Sequence, residues 1–180
     1  MIFRWYRPTP RASSITRLYG AIVAQARAPA FYQIYQVPDT VNARLEMIML
    51  HLVLVLRRLR AIDAATSELG QCLFDEFCRD MDASMREMGV GDLAVPRKMR
   101  RIGDAFYARQ ATYGSAVTES DNARLLGLLR RNVFAGTLQH DGAERLATYS
   151  REAIHLLAKQ EGFVRGELTF PDPDLVRVRG

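Results

Sequence analysis

Apolar residues recur along most of this chain at helical spacing, and no stretch shows sustained two-residue alternation flanked by hairpin turns. The pattern predicts an all-α fold. We expect a single compact helical domain over residues 1–180, with about six helices, an extended N-terminal arm (1–12) and an extended C-terminal tail (163–180). A chain of 180 residues is long enough to bury one core of this kind.

Capping residues and prolines mark the predicted helix boundaries. The helices are expected to begin at Ser13 or Ser14, Asp39 or Thr40, Ser67, Pro96, Ser120 and Asp141. The expected ends are Ala28 for the first helix, about Arg60 for the second, Met88 for the third and about Gly162 for the last. Residues 28–40 contain Pro29 and Pro38, which disfavour helix, so this linker is predicted to lie extended on the core.

The second predicted helix is apolar on nearly all sides from Met47 to Leu56, which is typical of a central, buried helix. This run is too short to span a bilayer. It contains His51, which could serve as a metal or haem ligand. A lone histidine on an apolar helix is more often a hydrogen-bonded core residue, and we favour that interpretation.

The third predicted helix is amphipathic. Its apolar face consists of Leu73, Phe74, Phe77, Cys78, Met81, Met85 and Met88. The opposite, outward-facing stripe consists of Glu76, Asp80 and Glu87, flanked by the i, i+4 pairs Asp75–Arg79 and Asp82–Arg86. Gly89 stands where a glycine often ends a helix, and with Gly91 it is expected to reverse the chain. Some methionines could add an adaptable apolar surface, although most are expected in the core.

Candidate catalytic chemistry is sparse in this sequence. A carboxylate-bound di-metal centre in a helical bundle needs inward-facing ligands such as Glu-x-x-His, and that motif does not occur. The GVGD stretch at 89–92 lacks the context of a phosphate-binding loop. Serine, histidine and cysteine are too scattered to propose a nucleophile with its base. We therefore predict that the protein is not an enzyme and holds no cofactor or metal.

Charge is distributed in blocks along the chain, whose net charge is +5. Residues 61–96 carry two basic and eight acidic side chains, whereas residues 97–131 carry eight basic and three acidic ones. The fourth predicted helix begins with Arg97, Lys98, Arg100 and Arg101, where cations oppose the helix dipole. Two interpretations stay open: a solvated face partly neutralised by the acidic helix before it, or a docking surface.

The cysteines and the N-terminus bear on the compartment. Cys72 and Cys78 lie six residues apart on one predicted helix and project about 120° apart, so they cannot pair, which favours a reducing compartment. The N-terminus lacks the apolar segment and cleavage site of a secretory signal. We expect a cytoplasmic protein.

Three stretches resemble the ubiquinol-cytochrome c chaperone family. They are YGAIVAQARAPAFY (19–32), VPDTVNARLEMIMLHLVLVLRRLR (37–60) and LGQCLFDEFCRDMDASMREMGVGDLAVPRKMRRIGDAFYARQ (69–110). The resemblance is strongest over residues 19–118. Family members often have Gly and Phe where this chain has Ala43 and Leu45, a difference that leaves the helix intact.

The resemblance implies a non-enzymatic assembly factor that binds newly made cytochrome b and promotes assembly of the ubiquinol-cytochrome c reductase (cytochrome bc) complex. It implies a cytoplasmic protein in peripheral contact with the inner membrane, and it leaves open a small helical co-chaperone and the ribosome as partners. The hypothesised partner-binding residues are Asp75, Asp80, Asp82, Arg86, Glu87, Gly89, Gly91, Asp92, Lys98, Arg100 and Arg101. The alternatives are an arginine-driven RNA or ribosome binder and a helical metalloenzyme.

Overall fold

The computed structural model describes residues 10–136 and 140–176, and all regular structure within them is helical. The helices are α1 (Pro10–Ala26), α2 (Pro29–Gln33), α3 (Val41–Arg60), α4 (Ala64–Glu87), α5 (Val95–Ala116), α6 (Ala123–Asn132), α7 (His140–Ala158) and a 3-10 helix (Gly162–Arg165). The predicted all-α fold is confirmed. The described residues contain seven α-helices where about six were expected, and the additional one is the short α2.

Helix α3 forms the centre of the fold. The side chain of Thr40 caps it by accepting a hydrogen bond from the backbone N–H of Ala43 at 3.2 Å. Every residue from Met47 to Leu56 is buried, and α1, α4, α5 and α7 all pack against this helix. Both the predicted cap and the predicted central position are confirmed.

Three helices begin earlier than predicted. Helix α1 starts at Pro10, so Ser13 and Ser14 lie inside it and residues 10–12 of the predicted arm are helical. Proline has no N–H to leave unpaired in a first turn, which suits that position. Residues 1–9 of the arm lie outside the described residues.

The start of α4 is set by a capping box. Asp63 accepts a hydrogen bond from the N–H of Thr66 at 2.8 Å, and the hydroxyl of Thr66 accepts one from the N–H of Asp63 at 3.1 Å. The helix therefore begins before Ser67. Helix α7 already includes His140, which places Asp141 in its first turn rather than at its cap.

The linker at 28–40 lies on the core as predicted, but it is not extended throughout. It forms the short helix α2, and Phe31, Tyr35 and Val37 are buried. A Cβ added to Gly142, in the first turn of α7, would lie 2.0 Å from the backbone oxygen of Tyr35. This close approach explains why glycine occupies that position.

The buried His51 is fully hydrogen-bonded. Its Nδ1 lies 2.7 Å from the carbonyl oxygen of Met47, and its Nε2 lies 2.9 Å from the hydroxyl of Tyr149. A carbonyl can only accept, so Nδ1 carries the proton, and Nε2 accepts from the Tyr149 O–H. Gln25 in turn donates to the Tyr149 oxygen at 3.0 Å. The expected core role of His51 is confirmed.

The C-terminal tail is extended after the 3-10 helix and packs onto this buried cluster. Gln25 also donates to the carbonyl of Pro171 at 3.1 Å, and the Tyr35 hydroxyl donates to that of Pro173 at 2.8 Å. The ring of Phe170 lies edge-on to His51, with centroids 5.1 Å apart. The prediction of an extended tail over 163–180 holds for residues 167–172 and is wrong for residues 163–165, which are in the 3-10 helix, and for residues 173–175, which form a turn. Residues 177–180 lie outside the described part.

Burial lowers the pKa of His51 from 6.5 to about 4, which predicts a pH-dependent stability. Between these values the unfolded chain binds a proton that the folded chain excludes, so stability falls as the pH falls. The loss approaches roughly 3 kcal/mol below the folded pKa. We expect His51→Gln to show a smaller loss of unfolding free energy from about pH 7 to about pH 5, measured by urea denaturation.

The matched control is His155→Gln, the same substitution at an exposed histidine of α7. It should keep the pH dependence of the original chain. Equal pH dependence in the original chain and the His51→Gln variant would contradict the assignment of this loss to His51.

Candidate interaction surface

The turn between α4 and α5 is built around Gly89. Its φ of 78° lies in the left-handed region. The N–H of Val90 donates to the carbonyl of Met85 at 3.0 Å, and the N–H of Gly89 donates to that of Arg86 at 2.9 Å. These two bonds form a Schellman motif that ends α4, and the predicted role of Gly89 is confirmed. Gly91 has no positive φ, so its backbone makes no such demand for glycine.

Arg86 ties this turn to the end of α4. Its Nε donates to Asp82 at 2.7 Å, and its guanidinium also pairs with Asp92 in the turn. The bond to Asp82 and the nearby carboxylates raise the pKa of Arg86. The predicted Asp82–Arg86 pair is confirmed. All three side chains are exposed or partly so, and exposed ion pairs contribute little stability, so the network mainly positions the turn.

Asp80 does not face outward as predicted. The Tyr19 hydroxyl of α1 donates to its Oδ2 at 2.6 Å. Burial of that hydroxyl, together with the hydrogen bond to Asp80, raises the pKa of Tyr19. The carboxylate of Asp80 therefore belongs to the contact between α1 and α4.

The predicted Asp75–Arg79 pair is also wrong. Asp75 accepts a hydrogen bond from Gln71 at 2.9 Å, whereas Arg79 pairs with Glu76. Of the acidic residues proposed from the sequence, Asp82 and Asp92 meet at Arg86. Glu87 is exposed at the end of α4, and Asp75 and Asp80 stand apart from that group.

The basic half of the surface lies on α5. Pro96 occupies the first turn of this helix, as predicted. Lys98, Arg100 and Arg101 are exposed, and none of the three forms an ion pair with a described residue. Asp104, one turn further along α5, is the acidic residue on their own helix, and the three cations remain exposed to an external partner.

Next to this charged surface lies an apolar groove of about 520 Å³ between α3, α4 and α5, which the sequence analysis did not predict. Two helical stripes line it: Val41, Leu45 and Ile48 on α3, and Met81 and Met85 on α4 with Met88 at its C-cap. Both stripes follow the i, i+4, i+7 spacing of a single helix face. That spacing was visible in the sequence, but not that the two stripes face each other.

Nowhere in 10–136 and 140–176 do three or more His, Cys, Asp or Glu side chains come together as metal ligands would. No helix in the same part of the chain is long and apolar enough to cross a membrane. Cys72 and Cys78 are both free thiols, in agreement with the sequence analysis.

Fold and surface together define the class of protein: an all-α domain that presents a charged surface beside an apolar groove. The chain belongs to the ubiquinol-cytochrome c chaperone family, whose model matches residues 33–170. The crystal structure of the Cbp3 homolog from Brucella abortus is similar to it with a TM-score of 0.85 and 34% identity, covering 93% of this chain and 94% of that one.

Two animal proteins are similar at lower identity, and both are named ubiquinol-cytochrome c reductase complex assembly factor 1. The Xenopus laevis protein is 21% identical over 146 residues, which cover 81% of this chain and 73% of that protein. The Drosophila melanogaster protein is 22% identical over 145 residues, or 78% of this chain. This chain spans little more than half of the Drosophila protein, 56% of its length.

The left-handed backbone of Gly89 predicts unequal effects of two identical substitutions in the turn. Gly89→Ala forces a Cβ into a conformation that costs roughly 1–2 kcal/mol, although no atom lies within 4 Å of that Cβ. Gly91→Ala also meets open space and has no positive φ to strain. We expect the unfolding free energy, measured by urea denaturation, to fall only for Gly89→Ala. Equal losses for both variants would contradict the assigned motif.

Proposed function

We propose that this protein is a non-enzymatic chaperone that binds newly made cytochrome b and promotes assembly of the ubiquinol-cytochrome c reductase complex. The family match over residues 33–170 is the observation that carries this proposal. Further support comes from the Brucella Cbp3 homolog, whose structure matches nearly the whole chain, and from the names of the two animal relatives.

We further propose that the partner binds where α4 ends and α5 begins. Arg86 fixes Asp82 and Asp92 relative to each other, while Glu87, Lys98, Arg100 and Arg101 remain exposed around them. A surface that carries both positive and negative charges in fixed positions selects partners with complementary charge and rejects others. Asp75 and Asp80 are not needed for this arrangement.

The proposed place of action is the cytoplasmic face of the inner membrane, in peripheral contact with the bilayer. The client is a membrane protein, and a chaperone that receives it during insertion has to work at that surface. A small helical co-chaperone and the ribosome are further candidate partners, and no small-molecule substrate is involved.

The direct test is photo-crosslinking to newly synthesised cytochrome b in the native host, from a photo-reactive residue at position 93, where the native Leu93 is fully exposed in the turn next to Asp92. We expect a crosslink in the original chain and a several-fold weaker one when both Glu87 and Asp92 are changed to lysine, because each reversal replaces an attractive contact by a repulsive one. Asp80 stays unchanged in this experiment, since its hydrogen bond to Tyr19 holds two helices together.

The control variant carries Glu152→Lys and Glu161→Lys, two exposed acidic residues in or after α7 and outside the proposed surface. It has the same change in net charge and should crosslink normally. Equal crosslinking by the original chain and the Glu87, Asp92 variant, with circular dichroism showing that both are folded, would count against this surface.

The alternative, an arginine-driven RNA or ribosome binder, draws on the same exposed cations of α5. It predicts recovery of RNA or ribosomal proteins alone, with binding that weakens steeply as salt rises. Recovery of cytochrome b that persists in higher salt would favour the chaperone proposal instead.

A further inference from the structure

The apolar groove has the dimensions of a small-molecule site. Its volume of about 520 Å³ falls inside the range of roughly 300–1,000 Å³ typical of ligand pockets. A specific protein partner would bury about 800 Å² on each side, far more than one groove provides. The floor offers a continuous apolar lining with flexible methionine side chains, which adapt to the shape of what they contact.

The charged lining of the groove is cationic, and its neutral polar residues are Asn42 and Ser84. Its ionisable residues are Arg27, Arg44, Lys98 and Arg101, and no carboxylate lines it. Arg44 is paired with Asp39. The other three form no ion pair with any residue in the described part of the chain. The complementary ligand therefore has an apolar body and a negative charge.

Several apolar side chains beside the groove are unusually exposed. Val41 and Met88, which line it, are 66% and 60% exposed, and Leu93 in the adjoining turn is 99% exposed. The acidic residues near the lining in the sequence include Asp39, which pairs with Arg44, Asp82 and Asp92, which Arg86 holds, and the exposed Glu87 and Asp104. An apolar rim with cations around it is suited to a bilayer surface that contains anionic lipid.

We propose that this groove binds one acyl chain of an anionic phospholipid, with the lipid phosphate held by Arg27, Lys98 and Arg101 at the rim. An acyl chain needs no hydrogen-bond partners from the apolar floor. The phosphate provides the negative charge with which the three cations can pair. The inference rests on the peripheral membrane contact proposed above and names the lipid chemistry and the residues behind it.

The first test uses the full chain and two soluble single-chain lipids, palmitoyl lysophosphatidylglycerol, which is anionic, and palmitoyl lysophosphatidylcholine, which is zwitterionic. Each is titrated below its micelle-forming concentration, and native mass spectrometry counts the lipids bound. We expect one anionic lipid per chain and roughly tenfold weaker binding of the zwitterionic lipid. Equal binding of both, or of neither, would overturn the proposal.

Two charge-reversed variants of α5 separate the groove from the rest of the helix. The Lys98→Glu, Arg101→Glu variant changes two residues that line the groove, and we expect roughly tenfold weaker binding of the anionic lipid. The Arg97→Glu, Arg100→Glu variant carries the same change in charge in the same turns but outside the lining, and it should bind normally. Equal losses of lipid binding in the two variants would show that the positive charges of α5 attract anionic lipid without a specific site, and this would overturn the proposal.

A third variant tests the apolar contact. Val41→Gln and Met88→Gln alter two largely exposed side chains, so folding should survive while the acyl chain loses its contacts at the mouth. We expect the anionic lipid to bind at least several-fold more weakly. In flotation with vesicles of equal parts phosphatidylcholine and phosphatidylglycerol, this variant should float less than the original chain. Unchanged binding in both assays would exclude an acyl chain in the groove.

The two proposals can fail separately, because cytochrome b capture can be measured in detergent without anionic lipid. Capture that survives while neither lipid binds leaves the chaperone proposal standing and overturns this one. If the Val41, Met88 variant, whose changes lie in the groove and outside the proposed charged surface, then also loses capture, the groove belongs to a protein partner.

Discussion

The burial of one long, almost wholly apolar run of helix α3 governs the rest of this structure. Ten consecutive residues of α3, Met47 to Leu56, are out of contact with water, and a single packing face cannot bury a helix that is apolar all round. Four helices, α1, α4, α5 and α7, therefore surround it. The one polar side chain in this run, His51, has both ring nitrogens satisfied within the core, since an unpaired buried polar atom would cost about 1–3 kcal/mol.

The cover around α3 is incomplete at its first turns, and the groove lies there. Val41 and Leu45 come before the buried run and are left exposed or partly so. Helix α5 is held beside α3 by Arg109, which donates to both carboxylate oxygens of Glu46 at 2.7 and 2.9 Å. Their side chains are only 19% and 12% exposed, so this pair is shielded from solvent and keeps two walls of the groove in place.

Local patterns predicted what is local in this fold. The long helices follow from apolar periodicity, the cap at Thr40 from a hydroxyl before an apolar run, and the turn at Gly89 from a glycine after the last periodic residue. Helix α2 has five residues, too few to show a period. The predicted outward position of Asp80 was wrong. Periodicity shows which side of its own helix a residue lies on, but it does not show that α1 packs against that side. The groove depends on how α3, α4 and α5 are placed relative to one another, and the pattern within one helix does not determine that placement.

Three of the charged residues around the turn stand where the helix dipole does not favour them, whereas Arg86, in the last turn of α4, is favoured there. Glu87 lies in the last turn of α4, where the negative end of the helix dipole disfavours a carboxylate. Lys98 lies in the first turn of α5, where the positive end disfavours cations, and Arg101 lies in the second turn, where this effect is weaker. The helix dipole favours a cation at the end of α4 and a carboxylate at the start of α5, by roughly 0.3–1 kcal/mol near the helix end. Since no described residue pairs with any of these three side chains, interactions beyond the chain offer the better physical reason for their placement.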